Sequence, residues 1–371
     1  MNFRRPVRLA LVAALPLLAA TACDREREPR SIEARDPGAG EAARLRRSIE
    51  TATFTPPRPD AGAIADEASG QPAPSAGPAG APAQGLPGDA RPDPAMVRAQ
   101  ILLDRTRFSP GIVDGLGGEN TRQAIAAFER ANDLAVDGEL DSAVFERLVA
   151  GDGRRVLTDY AIAAEDVAGP FIGTVPGDIE AMGRLETVGY ANPREALAEK
   201  FHMSEALLDA LNPGVDFGRA GQTIVVAAPG PEALRGEVAR IVVDKADSSV
   251  RAFADDGTLL AFYPATIGSG DTPSPSGTHS VRAVAPRPNY TYDPSRVSYG
   301  DGGGKVMVPP GPNNPVGSVW IDLSRDTYGI HGTPEPAEIG KTASSGCVRL
   351  TNWDAEQLAA AVKPGVEVRF V

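Results

Sequence analysis

Apolar residues recur at helical spacing at Val97, Ile101 and Leu102, then again at Ala124, Ile125, Phe128 and Ala131 in a segment opened by Asn120 and Thr121. A third short helix is predicted from Ser142 to Val149, with Asp141 at its N-cap and Phe145 and Leu148 turned inward. Turn formers fill Phe108 to Gly115 between the first two, so residues 95–150 read as a three-helix module. Residues 151–189 lack a clear period and read as a connector. Arg194 to Phe201 and Ser204 to Leu211 predict two further helices, and Asn212-Pro213-Gly214 closes the second. Gln222 to Val226 reads as a strand.

Beyond a linker at Pro229 to Glu237 the pattern turns to β. Short runs at Ala239–Asp244, Ser249–Phe253, Leu259–Thr266 and His279–Arg282 are separated by Gly, Asp and Pro turns. Thr351 and Asp354 make a capping-box-like start to a helix that runs to Val362 and is stopped by Pro364-Gly365. Val366, Val368 and Phe370 alternate as a last strand.

The first residues carry no such pattern. Arg4, Arg5 and Arg8 precede an apolar run from Leu9 to Leu18 and the small residues Ala19 to Ala22, the layout of an export signal over residues 1–22. That run is shorter than the ~20 apolar residues a membrane span needs. Ala20-Thr21-Ala22 fits an ordinary cleavage site, yet the following Cys23 also makes the stretch resemble a lipoprotein lipobox, with Ala20 in place of the usual Leu. Residues 23–94 are rich in Pro, Ala and Gly, with Phe54 as their only aromatic residue, and are expected to be a disordered tether.

Composition narrows the function classes. A formal net charge of −12 argues against affinity for nucleic acid or anionic membrane surfaces. There are two cysteines, Cys23 and Cys347; a disulfide between them is one possibility, excluded if Cys23 carries a thioether lipid. The three histidines, at 202, 279 and 331, show no metal-ligand spacing, so no metal or other cofactor is expected. Gly304-Lys305 and Gly340-Lys341-Thr342 lack the first glycine of a phosphate loop. No Ser-x-x-Lys points to a serine enzyme of the penicillin-binding type.

Chemistry gathers at Ser344-Ser345-Gly346-Cys347-Val348-Arg349. Cysteine attacks as the thiolate, and His331 is a nearby group able to take its proton near neutral pH. Gly346 allows close backbone approach, so N–H groups around Cys347 can face an oxyanion, and Arg349 offers a fixed cation to a carboxylate. On residue pattern alone, a buried structural cysteine is an equal alternative.

Tyr328-Gly329-Ile330-His331-Gly332-Thr333, Ile339-Gly340 and Ser344 through Leu350 together resemble the signature of the L,D-transpeptidase (YkuD) family, as do Pro275-Ser276-Gly277 and Gly311 through Gly317. The likeness spans residues 238–371. One departure is Ser345, where many members have His before the Gly-Cys pair. The resemblance implies an enzyme without cofactor that acts on peptidoglycan tetrapeptide stems. Cys347 would be the nucleophile, His331 the base and Gly332 the carbonyl that orients it, with Arg349, Gly346, Ser345 and Ser344 around substrate and oxyanion. L,D cross-linking with release of D-Ala is the leading activity. Carboxypeptidase, endopeptidase or protein-to-peptidoglycan ligase chemistry, or a non-catalytic wall-binding tether, are the others.

Asp114-Gly115, Gly118, Thr121, Ala124-Ile125, Phe128 and Val136 through Asp141 look like a small peptidoglycan-binding domain, with a generic helical bundle as the plainer alternative. Residues 190–228, with their Leu-Asn-Pro-Gly and Gly-Gln-Thr-Ile-Val-Val, resemble a LysM repeat or are a spacer. The expected fold is therefore multidomain: an all-α binding domain, a small α+β segment, and a mainly-β catalytic domain with a C-terminal helix. The expected location is the periplasm or cell envelope, with the inner membrane as a partner if Cys23 is lipidated.

Overall fold

The computed structural model describes residues 37–55, 91–268, 272–296 and 304–371. The export signal, Cys23 and most of the tether lie outside the described residues.

Part of the expected tether is helical. α1 (Pro37–Thr51) buries Ile49 completely. Its Glu50 carboxylate accepts from the Leu157 amide at 2.9 Å, and Arg98 donates to the carbonyls of Glu50 and Ala52 at 2.8 and 2.9 Å. Within the tether expected over 23–94, residues 37–51 are thus helical instead of disordered: a few apolar residues suffice once a neighbouring core receives them, which composition averaged over the segment hides.

α2 (Pro94–Asp104), α3 (Glu119–Ala131) and α4 (Ser142–Gly151) form the three-helix module. Asp93 and Asp141 cap α2 and α4 by accepting from Met96 N and Val144 N, both at 2.8 Å. Buried Gln100 ties the intervening loop, donating to Asp114 Oδ1 at 2.9 Å and accepting from Gly115 N at 2.8 Å.

Within the connector, β1 (Leu157–Ala161) is followed by α5 (Ile179–Met182). α6 (Pro193–Lys200), α7 (Glu205–Leu211) and β2 (Thr223–Ala227) come next, and β1 pairs antiparallel with β2. The α+β segment thus begins with β1 rather than at residue 190. β1 has one buried residue and no clean alternation, so its sequence carries little strand signal. One hydrophobic core runs from α1 through β2 and includes Phe262 of the following sheet.

That sheet has eight strands: β3 (Arg240–Asp244), β4 (Ser249–Phe253), β5 (Leu259–Pro264), β6 (Gly277–Pro286), β9 (Val319–Leu323), β10 (Gly329–His331), β11 (Val348–Arg349) and β12 (Glu367–Phe370). Their order is β11-β10-β9-β6-β12-β3-β4-β5. The pairs β12–β3 and β10–β11 are parallel and the rest antiparallel. β7 (Tyr290–Tyr292) and β8 (Val306–Val308) form a separate two-stranded ribbon. α8 (Asn352–Ala361) contributes to the second core, which lies against the sheet.

Both sheet edges are covered. Phe262 N donates to Arg107 O at 2.7 Å and Ser109 N to Phe262 O at 3.0 Å, so the helical module closes β5. At the other end the chain leaving β5 pairs with β11: Thr266 N donates to Arg349 O at 3.0 Å and Arg349 N to Thr266 O at 2.9 Å. The sheet therefore curls until its edge strands are joined by Ala265 to Gly268. Among the described residues no helix is long and apolar enough to cross a membrane.

Candidate active site

Parallel pairing of β10 with β11 sets Ile330 beside Val348 and His331 beside Arg349. Cys347 stands immediately before β11 and is half-buried, whereas His331 is 2% exposed. His331 Nδ1 lies 2.7 Å from Gly332 O. A carbonyl can only accept, so Nδ1 carries the proton and Nε2 keeps its lone pair. The imidazole stacks on Trp320, with ring centroids 5.4 Å apart and planes within 20°. Burial, helped by the Arg349 cation, pushes His331 down to about 4.

The Cys347 thiol donates to Thr327 O at 3.6 Å. Burial raises its pKa, opposed by hydrogen bonding to the Gly329 backbone and by Arg349. Both groups are therefore neutral near pH 7.

Side chains from outside the sheet fix the Cys347 loop. Ser344 is buried; its Oγ donates to Cys347 O at 2.5 Å and accepts from Gly346 N at 3.1 Å. Ser274 Oγ donates to Gly346 O at 2.8 Å and accepts from Gly268 N at 3.0 Å, and Thr272 Oγ1 donates to Ser344 O at 2.9 Å. Gly346 has φ +109°, and a Cβ there would lie 2.8 Å from Tyr328 Cε1, so the position demands glycine. Its N–H is already held by Ser344. Ser345 is exposed, and the half-buried Arg349 guanidinium forms no ion pair among the described residues.

Two histidines fall elsewhere. His279 pairs with Val368 on β12, bonds Ser276 O at 3.2 Å and meets Phe370 edge-on, away from a role beside His331. His202 is half-buried against Asp104 at 3.0 Å and stacks on Trp353.

Sequence reasoning missed Ser274, Trp320 and Asn352. Asn352 Oδ1 accepts from Ser318 N at 3.1 Å, and a Cβ on Gly332 would lie 2.2 Å from that oxygen. The signal for Ser274 was its place beside Pro275-Ser276-Gly277; Asn352 was hidden as the first residue of a helix.

Comparison with known proteins sets this geometry in context. A model described as the YkuD L,D-transpeptidase catalytic domain matches residues 238–369, and one described as "Putative peptidoglycan binding domain" matches residues 84–148. "Putative L,D-transpeptidase YkuD" of Bacillus licheniformis is 31% identical over 176 residues, 47% of this chain and 90% of that protein. "Probable L,D-transpeptidase YcfS" of Escherichia coli is 31% identical over 48% of this chain and 58% of its own length. Crystalline L,D-transpeptidase 3 from Mycobacterium tuberculosis, in complex with a faropenem-derived adduct, is 17% identical with a TM-score of 0.30, covering 40% of this chain and 64% of that one. With its catalytic match over the curled sheet and the helical match before it, the chain belongs to the L,D-transpeptidase (YkuD) family.

Proposed function

We propose that the chain cleaves peptidoglycan tetrapeptide stems and joins them through a cysteine thioester. Cys347 attacks the carbonyl between a diaminopimelate-type residue and the terminal D-Ala, and its thiol proton passes to His331 Nε2. The S–C bond forms, the C–N bond breaks, and the proton returns to the departing D-Ala amine. An amine of a second stem then takes the acyl group, giving an L,D cross-link and freeing the thiol. Gly332 O keeps the imidazole oriented, the Cys347 N–H faces the oxyanion, and Arg349 pairs with a stem carboxylate. Ser344 shapes the nucleophile loop, and Ser345 lies at the mouth of the site.

The observation that carries this reading is the pairing of β10 with β11: it sets an Nδ1-protonated, buried His331 one strand away from Cys347. The helical module would hold the wall, as would the α+β segment, and the location would be the cell envelope, with a lipid on Cys23 as anchor; labelled palmitate on the wild type and none on Cys23→Ser is the expected outcome.

The central test is to incubate purified protein with a carbapenem and with tetrapeptide muropeptides. A covalent adduct on Cys347 and released D-Ala are expected, both lost in Cys347→Ala. Absence of both from the wild type sinks the enzyme reading. The masses of the products identify the acceptor: a dimer for cross-linking, a tripeptide for hydrolysis.

A further inference from the structure

The group that orients His331 is itself held from outside the catalytic domain. Glu199 stands in α6 of the accessory region, 7% exposed, and its Oε2 accepts from Asn352 Nδ2 at 3.0 Å. Asn352 is 3% exposed and its amide is fully used: Nδ2 also donates to Pro312 O at 3.3 Å, while Oδ1 accepts from Ser318 N at 3.1 Å. That oxygen packs on two glycines, since a Cβ on Gly332 would lie 2.2 Å from it and one on Gly317 2.3 Å. Gly332 in turn presents the carbonyl that accepts the His331 Nδ1 proton at 2.7 Å. An unbroken series of contacts thus runs from Glu199 through Asn352 and Gly332 to the imidazole.

We propose that Glu199 is a positioning residue for the His331 base, so that the accessory region completes the active site instead of only delivering it to the wall. This rests on the reading of Cys347 and His331 as the catalytic pair. A primary amide that loses one of two buried partners can rotate or recruit water, and Gly332 has no side chain of its own to resist the shift. Glu199 is an acceptor toward both Asn352 and Tyr190 Oη, the latter at 3.4 Å, so the carbonyl of a glutamine can replace it in both bonds. Burial raises the Glu199 pKa to about 8, which makes the neutral glutamine a close match to the neutral acid.

The test uses the full chain. In Glu199→Ala, kcat for D-Ala release is expected to fall about tenfold or more with KM changed by less than about twofold, whereas Glu199→Gln retains wild-type kcat within about twofold. The rate of Cys347 alkylation by iodoacetamide is expected to fall in Glu199→Ala and His331→Ala but not in Glu199→Gln. This second readout needs no peptidoglycan activity, so it decides the positioning role even if D-Ala release is absent. Should Glu199→Ala fail to fold, Glu199→Asp, whose acceptor is withdrawn by one methylene, must lower kcat while Glu199→Gln does not. Unchanged kcat and alkylation in folded Glu199→Ala, or equal losses in the alanine and glutamine variants, would overturn the proposal.

Discussion

At the scale of the residue, the candidate site pairs a neutral thiol with a neutral imidazole from the adjoining strand. Burial moves the two groups in opposite directions, His331 down to about 4 and Cys347 up. A preformed thiolate would give an alkylation rate already level in mildly acidic solution. The neutral pair predicts a rate that keeps rising with pH from about 5 upward toward the raised thiol pKa, and wild-type turnover with an acid limb near pH 4. A plateau between pH 5 and 7 in the alkylation of wild-type protein would contradict this. The same shift has a stability consequence. The unfolded chain binds a proton at His331 below about 6.5 while the folded chain does not until about 4, so this contribution to stability is lost as pH falls through that window. Gly346 makes a further residue-level prediction: Gly346→Ala forces a Cβ at φ +109° to within 2.8 Å of Tyr328 Cε1, and a loss of about 1–3 kcal/mol in urea unfolding, with reduced kcat, is expected.

At the scale of the element, the candidate active site depends on two very short strands, β10 and β11, held between β9 and the chain leaving β5. Runs of three and two residues carry no period, which is why the strands that place His331 and Arg349 were invisible to pattern reading while the longer β3, β4 and β5 were legible. Cys347, His331 and Gly332 were legible as candidates for another reason: their chemistry and the Gly-rich setting stand out in sequence. Asn352 and Glu199 were not, because an Asn after a helix-capping Thr and a Glu inside a helix have ordinary local explanations, and only the tertiary structure brings them together. The junction of α6 and α8 also stores buried acids. Glu199 is raised to about 8 and Asp354, which accepts from Ser109 Oγ at 3.0 Å, to about 7, both chiefly by burial. Each holds its proton in the folded chain where the unfolded chain has released it, so stability falls as pH rises from about 4.5 through 8. The expected measurement is a thermal midpoint that declines over this range in the wild type and declines less in Glu199→Gln; an identical slope would remove Glu199 as a cause.

At the scale of the whole molecule, β5 binds the accessory region and the catalytic domain into one folding unit. Successive strand residues point to opposite faces, and here Phe262 belongs to the helical core while Tyr263 belongs to the sheet core. The edge of the same strand is closed by the Phe262 amide donating to Arg107 O and its carbonyl accepting from Ser109 N. Separate beads on a string would melt in separate steps. Residues Pro37 to Val371 cluster as one unit, and a single calorimetric transition is expected, with calorimetric and van't Hoff enthalpies in agreement. Phe262→Ala removes a side chain 4% exposed and should cost about 3–5 kcal/mol, lowering the midpoint of the whole transition instead of splitting off an early accessory step. Two resolved transitions in the wild type would show that the shared core is too weak to couple them. The coupling also constrains how wall binding can be tested: deleting residues 96–228 strips α2 to β2 from around Phe262 and uncovers the β5 edge, so lost activity in that truncation would report a broken core as readily as a lost anchor. Point substitutions on exposed faces of α3 and α4, measured for sacculus pelleting alongside unchanged D-Ala release, separate the two. Reduced pelleting with catalysis intact assigns the anchor to the helical module, and unchanged pelleting across both faces removes it.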